Sequence, residues 1–198
     1  YLWNAELRIE FMIPERGRGM EKARAIKSLG VRAMPLRFVD LLLRHPISID
    51  EGGVQVIIDY AHSPDALEQV LSSLRPHCQQ KLWCVFGCGG NRDKGKRPLM
   101  AAIAKQLADV VVVTTDNPRD EAPADIASEI VQGLKESDYI LELDRQRAIE
   151  RSIAEAADGD VIVIAGKGHE DYQESRGKRM PFSDVKCARL ALIERASS

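Results

Sequence analysis

From residue 54 onward the chain alternates between short, nearly unbroken apolar runs and longer segments with helical spacing. Residues 54–58 (Val-Gln-Val-Ile-Ile), 82–86 (Leu-Trp-Cys-Val-Phe), 110–114 (Val-Val-Val-Val-Thr) and 161–165 (Val-Ile-Val-Ile-Ala) are apolar at almost every position. Strands covered on both faces have this composition. Between them, Leu67, Val70, Leu71 and Leu74, then Leu99, Met100, Ile103 and Leu107, then Ile126, Ile130, Val131 and Leu134 recur at the spacing of a helix face. Ser63 is placed to cap the first helix, with Pro64 at its first position and Asp65 in its positive first turn. Residues 139–143 read as an edge strand, 145–157 as a helix, and 172–182 as a hairpin turning at Arg176-Gly177-Lys178. This alternation predicts an α/β fold, a Rossmann-like doubly wound, mostly parallel sheet.

Residues 1–52 follow another pattern. Basic and apolar residues mix (Arg24, Lys27, Arg32, Arg37, then Leu41-Leu42-Leu43-Arg44), with breaks at Pro14, Pro35 and Pro46. One or two helices, or an irregular segment, are the expectation. The chain therefore divides into an N-terminal appendage (1–52) and an α/β domain (53–198).

Composition narrows the partners. The 198 residues carry 28 Lys+Arg against 30 Asp+Glu, a formal net charge of −2, so there is no global basic field for nucleic acid or anionic lipid and any anion site is local. No apolar run reaches the roughly 18 residues that span a bilayer, and Tyr1 to Glu6 lacks the order of a signal peptide. A soluble cytoplasmic protein is expected, without nucleic acid or membrane as partner and acting as a monomer. Cys78, Cys84, Cys88 and Cys187 form no C-x-x-C pair, and His45, His62, His77 and His169 are scattered singly. Reduced thiols and no metal site follow.

Open α/β sheets bind ligands beyond the carboxyl ends of their strands, and there the chemistry-bearing residues lie. The four apolar runs empty into 59–65 (Asp-Tyr-Ala-His-Ser-Pro-Asp), 87–97 (Gly-Cys-Gly-Gly-Asn-Arg-Asp-Lys-Gly-Lys-Arg), 115–120 (Thr-Asp-Asn-Pro-Arg-Asp) and 166–171 (Gly-Lys-Gly-His-Glu-Asp). The second loop joins glycines to Arg92, Lys94, Lys96 and Arg97 and reads either as an anion cradle or as a solvated basic turn before a helix. It is not a Walker A loop, and Gly87-x-Gly89-Gly90 matches a dinucleotide fingerprint only weakly. Arg119 offers a planar fork for a carboxylate, and Lys167 either touches a phosphate or faces water.

Taken together, the stretches 59–68 (DYAHSPDALE), 81–100 (KLWCVFGCGGNRDKGKRPLM), 114–123 (TTDNPRDEAP) and 165–173 (AGKGHEDYQ) closely resemble the C-terminal, amino-acid-binding domain of the Mur ligases, in their diaminopimelate-adding branch. The resemblance runs over roughly residues 53–195. It implies an ATP-dependent ligase of peptidoglycan synthesis. ATP phosphorylates the D-Glu side-chain carboxylate of UDP-MurNAc-L-Ala-D-Glu, and an amine of meso-diaminopimelate attacks the acyl phosphate. Residue by residue, Arg92, Asp116, Asn117, Pro118, Arg119, Gly166 and Glu170 match the family's diaminopimelate-binding positions. Diaminopimelate has an ammonium and a carboxylate at each end, which suits cationic forks (Arg92, Arg119) and an acid for the distal ammonium (Glu170). Tyr60, His62 and Asp65 are expected near the nucleotide.

The family's Walker A loop, magnesium ligands and modified lysine have no counterpart in this sequence. ATP and Mg2+ are therefore expected to bind mainly elsewhere, and the chain reads as an inactive fragment whose residues 1–52 do not match what precedes this domain. Three alternatives remain: an L-lysine-adding relative, which has no use for a cation at the distal carboxylate; a Rossmann oxidoreductase; and a non-catalytic small-molecule binding module.

Overall fold

The computed structural model describes residues 47–51, 53–134 and 138–197. The helices expected around residues 24–44 lie outside the described residues. Within them, the alternation of apolar runs and helical faces becomes β1 (Ile47–Glu51), β2 (Val54–Asp59), α1 (Pro64–Leu74), β3 (Leu82–Phe86), α2 (Lys96–Leu107), β4 (Val110–Val113), α3 (Pro123–Val131), β5 (Ile140–Leu141), α4 (Arg145–Glu155), β6 (Val161–Ala165), β7 (Tyr172–Ser175), β8 (Lys178–Pro181) and α5 (Asp184–Ala196). The large sheet has the order β1-β2-β6-β3-β4-β5, and β2, β6, β3, β4 and β5 are parallel. The four apolar runs are thus adjacent parallel strands, as their two-faced burial requires.

The sheet opens with a strand placed by the sequence reading in the N-terminal segment. In β1 Ile47 and Ile49 alternate with Ser48 and Asp50, and the strand pairs antiparallel with β2. Ile49 joins the core beside Val54 and Val56. The turn between the strands needs the left-handed backbone of Gly53, φ 79°.

Both faces of the sheet are covered. Val56, Ile58, Trp83, Val85, Val112, Ile162 and Ile164 pack with Ile149 and Ile153 of α4 and Ala188 and Leu192 of α5. Their alternates Ile57, Cys84, Phe86, Val111, Val113 and Val163 are equally buried, which the period of two assigns to the opposite layer of α1, α2 and α3. In α2 the expected apolar face shifts. Leu99 is 57% exposed, while Arg97, Met100, Ala101 and Ala104 are buried. Among the described residues no helix is long and apolar enough to cross a membrane.

Candidate functional site

Ser63 caps α1 as its sequence requires, its hydroxyl accepting from the Ala66 N–H at 3.4 Å. Because the strands run parallel, the loops after β2, β3, β4 and β6 meet at one edge. Backbone contact draws the β3 and β4 loops together: the Gly90 N–H donates to Asn117 O at 2.9 Å, and a Cβ at Gly90 would collide with Pro118 O. The glycines after β3 thus permit close packing against the 116–119 turn, and do not form the open phosphate cradle that a dinucleotide enzyme needs.

The basic run beside them is largely internally paired. Arg97 has no exposed side-chain surface and donates to Glu121 through both terminal nitrogens (2.9 and 2.9 Å) and to Glu129 at 2.7 Å. Lys94 lies 3.2 Å from each of these carboxylates, and Lys96 donates to His62 O at 2.7 Å. Cations at a helix start oppose its dipole, and acids from α3 and its approach offset them. Hydrogen bonds from Arg97 and from the Asn91 N–H hold the Glu121 carboxyl down at about 2. Lys94 and Arg92 are both exposed, and of the four cations Arg92 alone has no hydrogen bond or ion pair among the described residues.

Arg119 is held in the left-handed region, φ 51°, by its N–H to Glu174 O (3.1 Å) and by the Arg176 N–H to its own carbonyl (2.7 Å). Its Nη1 donates to Gly90 O at 2.9 Å and its Nε stands 3.7 Å from Glu174. Nη2 has no hydrogen bond among the described residues. A Cβ built at Gly89 would lie 2.8 Å from Arg119 Nη1 and 3.6 Å from Arg92 Cγ, so the two guanidinium-bearing side chains flank one glycine.

Asn117 carries the turn across to the β6 loop. Its Nδ2 donates to Glu170 Oε2 at 3.0 Å, and its Oδ1 accepts from Lys167 Nζ (2.8 Å) and the Glu174 N–H (2.9 Å). Asp116 is 7% exposed, and Gly166, φ 118°, leaves room for its carboxylate: a Cβ there would sit 2.5 Å from Asp116 Oδ2. Arg92, Asp116, Asn117, Pro118, Arg119, Gly166 and Glu170 therefore converge as the sequence led one to expect. Tyr60 and His62 form a second exposed group, with ring centroids 4.8 Å apart and His169 6.1 Å from Tyr60. Asp65 is exposed in the first turn of α1.

Three features escaped the sequence reading. Lys167 neither touches a phosphate site nor faces water: it is fully buried and donates to Asn117, Glu170 (3.2 Å) and Tyr172 O (2.8 Å). Gln173 and Glu174 of β7 clamp the turn, Gln173 Nε2 donating to Asp116 O at 2.8 Å and the Glu174 N–H to Asn117 Oδ1 at 2.9 Å; the sequence reading has this segment only as a hairpin, with no role at the site. Arg145, at the start of α4, forms a wholly buried pair with Asp184 of α5, two bonds of 2.8 Å, and donates to Ala165 O at 3.0 Å and Thr115 O at 3.3 Å. It fixes the carboxyl ends of β6 and β4.

Chemically the edge presents two arginine forks and a carboxylate, a pattern for a zwitterion with charges at both ends. It offers no activated thiol, since burial pushes Cys88 up to about 12. Among the described residues no three His, Cys, Asp or Glu side chains gather as a metal-ligand set.

A family model, "Mur ligase, glutamate ligase domain", matches residues 46–168. The UDP-N-acetylmuramoyl-L-alanyl-D-glutamate–2,6-diaminopimelate ligase of Acidovorax sp. (strain JS42) is 46% identical over 199 residues, covering 98% of this chain and 38% of that protein. That alignment extends into residues 1–52, where no family match was expected. The ligase of the same name from Pseudomonas aeruginosa is 59% identical over 138 residues, 69% of this chain and 28% of its own length. A solved structure of a ligase of that name superposes with TM-score 0.73 at 44% identity, over 76% of this chain and 31% of that one.

Proposed function

The chain belongs to the Mur ligase family, and on that premise we propose that it is the amino-acid-binding domain of an ATP-dependent ligase that adds meso-diaminopimelate to UDP-MurNAc-L-Ala-D-Glu. It spans only 28–38% of the curated relatives it matches, so the reaction is assigned to the whole ligase and the amino-acid site to this domain. In that reaction the D-Glu side-chain carboxylate becomes an acyl phosphate, the diaminopimelate amine attacks its carbonyl, and an amide, ADP and phosphate result. This domain's share is positioning: Arg119 and Arg92 take carboxylates, Glu170 takes the distal ammonium, and the reacting amine is aimed outward from the sheet edge. Tyr60, His62 and Asp65 face the nucleotide. Magnesium accompanies ATP, but the described residues offer it no ligand set.

The observation that carries the reading is the Asn117 to Glu170 hydrogen bond. It joins the arginine-bearing turn to the acid in one strip of alternating charge. The experiment is a calorimetric titration of the chain with meso-diaminopimelate, lysine, NAD and ATP. Diaminopimelate is expected to bind, lysine far more weakly, and NAD not at all; binding of NAD without diaminopimelate would overturn the proposal. Incubated with ATP, magnesium, precursor and diaminopimelate, the chain alone is expected to form no amide, because its sequence has no Walker A loop to hold the γ-phosphate.

A further inference from the structure

Lys167, like Arg97 and Arg145, has no exposed side-chain surface, but unlike them it bonds directly to Glu170 and to the Asn117 side chain. A lysine ammonium loses its hydration on burial, and three oxygens replace it: Asn117 Oδ1 at 2.8 Å, Tyr172 O at 2.8 Å and Glu170 Oε2 at 3.2 Å. The ring of Tyr172 also lies 5.6 Å from Nζ. One of these oxygens belongs to Glu170, which the proposed function assigns to diaminopimelate, and another to Asn117, which the family resemblance places at the same site. The arrangement is asymmetric at Glu170, since Oε2 accepts from both Asn117 Nδ2 and Lys167 Nζ while Oε1 accepts nothing among the described residues.

We propose that Lys167 is a positioning residue for amino-acid recognition: its buried ammonium holds Glu170 by Oε2 and Asn117 by Oδ1, so that Glu170 presents Oε1 to the distal ammonium of the substrate. A carboxylate fixed beforehand loses little rotational freedom when the ligand arrives. One freed from Lys167 would rotate toward water, and Asn117 Oδ1 would keep only the Glu174 N–H. Lys167 touches no substrate atom in this scheme; it acts through its neighbours.

This inference rests on the reading of the site as one for diaminopimelate, and its test separates the two. Calorimetry with meso-diaminopimelate and with 2-aminopimelate, which keeps both carboxylates but lacks the second ammonium, is run on the unsubstituted chain and on Lys167→Met. The unsubstituted chain is expected to prefer diaminopimelate, and Lys167→Met to lose about tenfold of that preference. A purely structural role lowers the bound stoichiometry for both ligands alike and leaves the ratio of Kd values unchanged. That result overturns the proposal and leaves the function standing. If the unsubstituted chain binds neither ligand, the function falls and this inference with it. Should Lys167→Met fail to fold, the side-chain 15N resonance of Lys167 in the unsubstituted chain decides: diaminopimelate is expected to shift it and 2-aminopimelate to leave it in place, and equal response to both refutes the positioning role.

Discussion

Asn117 donates to Glu170 across 3.0 Å, joining residues 53 positions apart. This bond ties the turn after β4 to the loop after β6. The same turn carries Arg119, whose Nη1 donates to Gly90 O, so three loops share one hydrogen-bonded frame.

The first prediction concerns Arg119. On the proposed role of Arg119 as the fork for the distal carboxylate, Arg119→Ala is expected to lower diaminopimelate affinity roughly ten- to a hundredfold. Lysine, which lacks that carboxylate, should bind weakly before and after, so the preference for diaminopimelate shrinks. Calorimetry with both amino acids checks this. An equal loss for both would assign Arg119 to the shared α-carboxylate or to folding.

At Gly166 the constraint is steric and conformational together. Gly166→Ala places a Cβ 2.5 Å from Asp116 Oδ2 at φ 118°, and a residue with a side chain is strained there by about 1–3 kcal/mol before the clash is counted. A lowered Tm with weakened diaminopimelate binding is expected. Unchanged melting would mean that the 116–119 turn yields without cost.

For the Arg145 and Asp184 pair, burial decides the sign. Arg145→Met leaves the Asp184 carboxylate uncompensated in the core and should cost about 3–5 kcal/mol in urea unfolding. The double change Arg145→Met with Asp184→Leu removes both charges and should recover much of that loss. A double variant as unstable as the single one would show that the bonds to Ala165 O and Thr115 O carry the stabilisation.

Acid stability should report on Glu121. Its carboxyl falls from the ordinary 4.5 to about 2 in the folded chain, chiefly through Arg97. A carboxyl depressed on folding adds stability that is complete above 4.5 and lost as the pH falls through that interval toward 2. Glu129, lowered by the same arginine, acts in the same direction. Unfolding curves between pH 5 and 2 should therefore be flatter for Glu121→Gln than for the unsubstituted chain. Parallel curves would show that Arg97 pairs with Glu121 only weakly in solution.

By itself the sequence determined the elements and the loops that carry chemistry, because both are local properties. A fully apolar run such as Val161–Ala165 is suited to a strand covered on two faces. Ser63 and Pro64 set the start of α1 within four residues of one another and of the bonded Ala66, and Arg176-Gly177 turns the β7–β8 hairpin with φ 49° and 70°. Tertiary structure decided which charges face a ligand. Arg97 and Arg92 stand in one basic run, yet Arg97 is buried because its acids arrive from 24 and 32 residues away. Lys167 lies between two glycines and reads as touching a phosphate or facing water until Asn117, 50 residues earlier, is brought beside it. The short β1 depended on β2 to pair with it and on the core to receive Ile49. Counter-ions and strand partners are supplied by folding, so the burial of a charge cannot be read from the residues next to it.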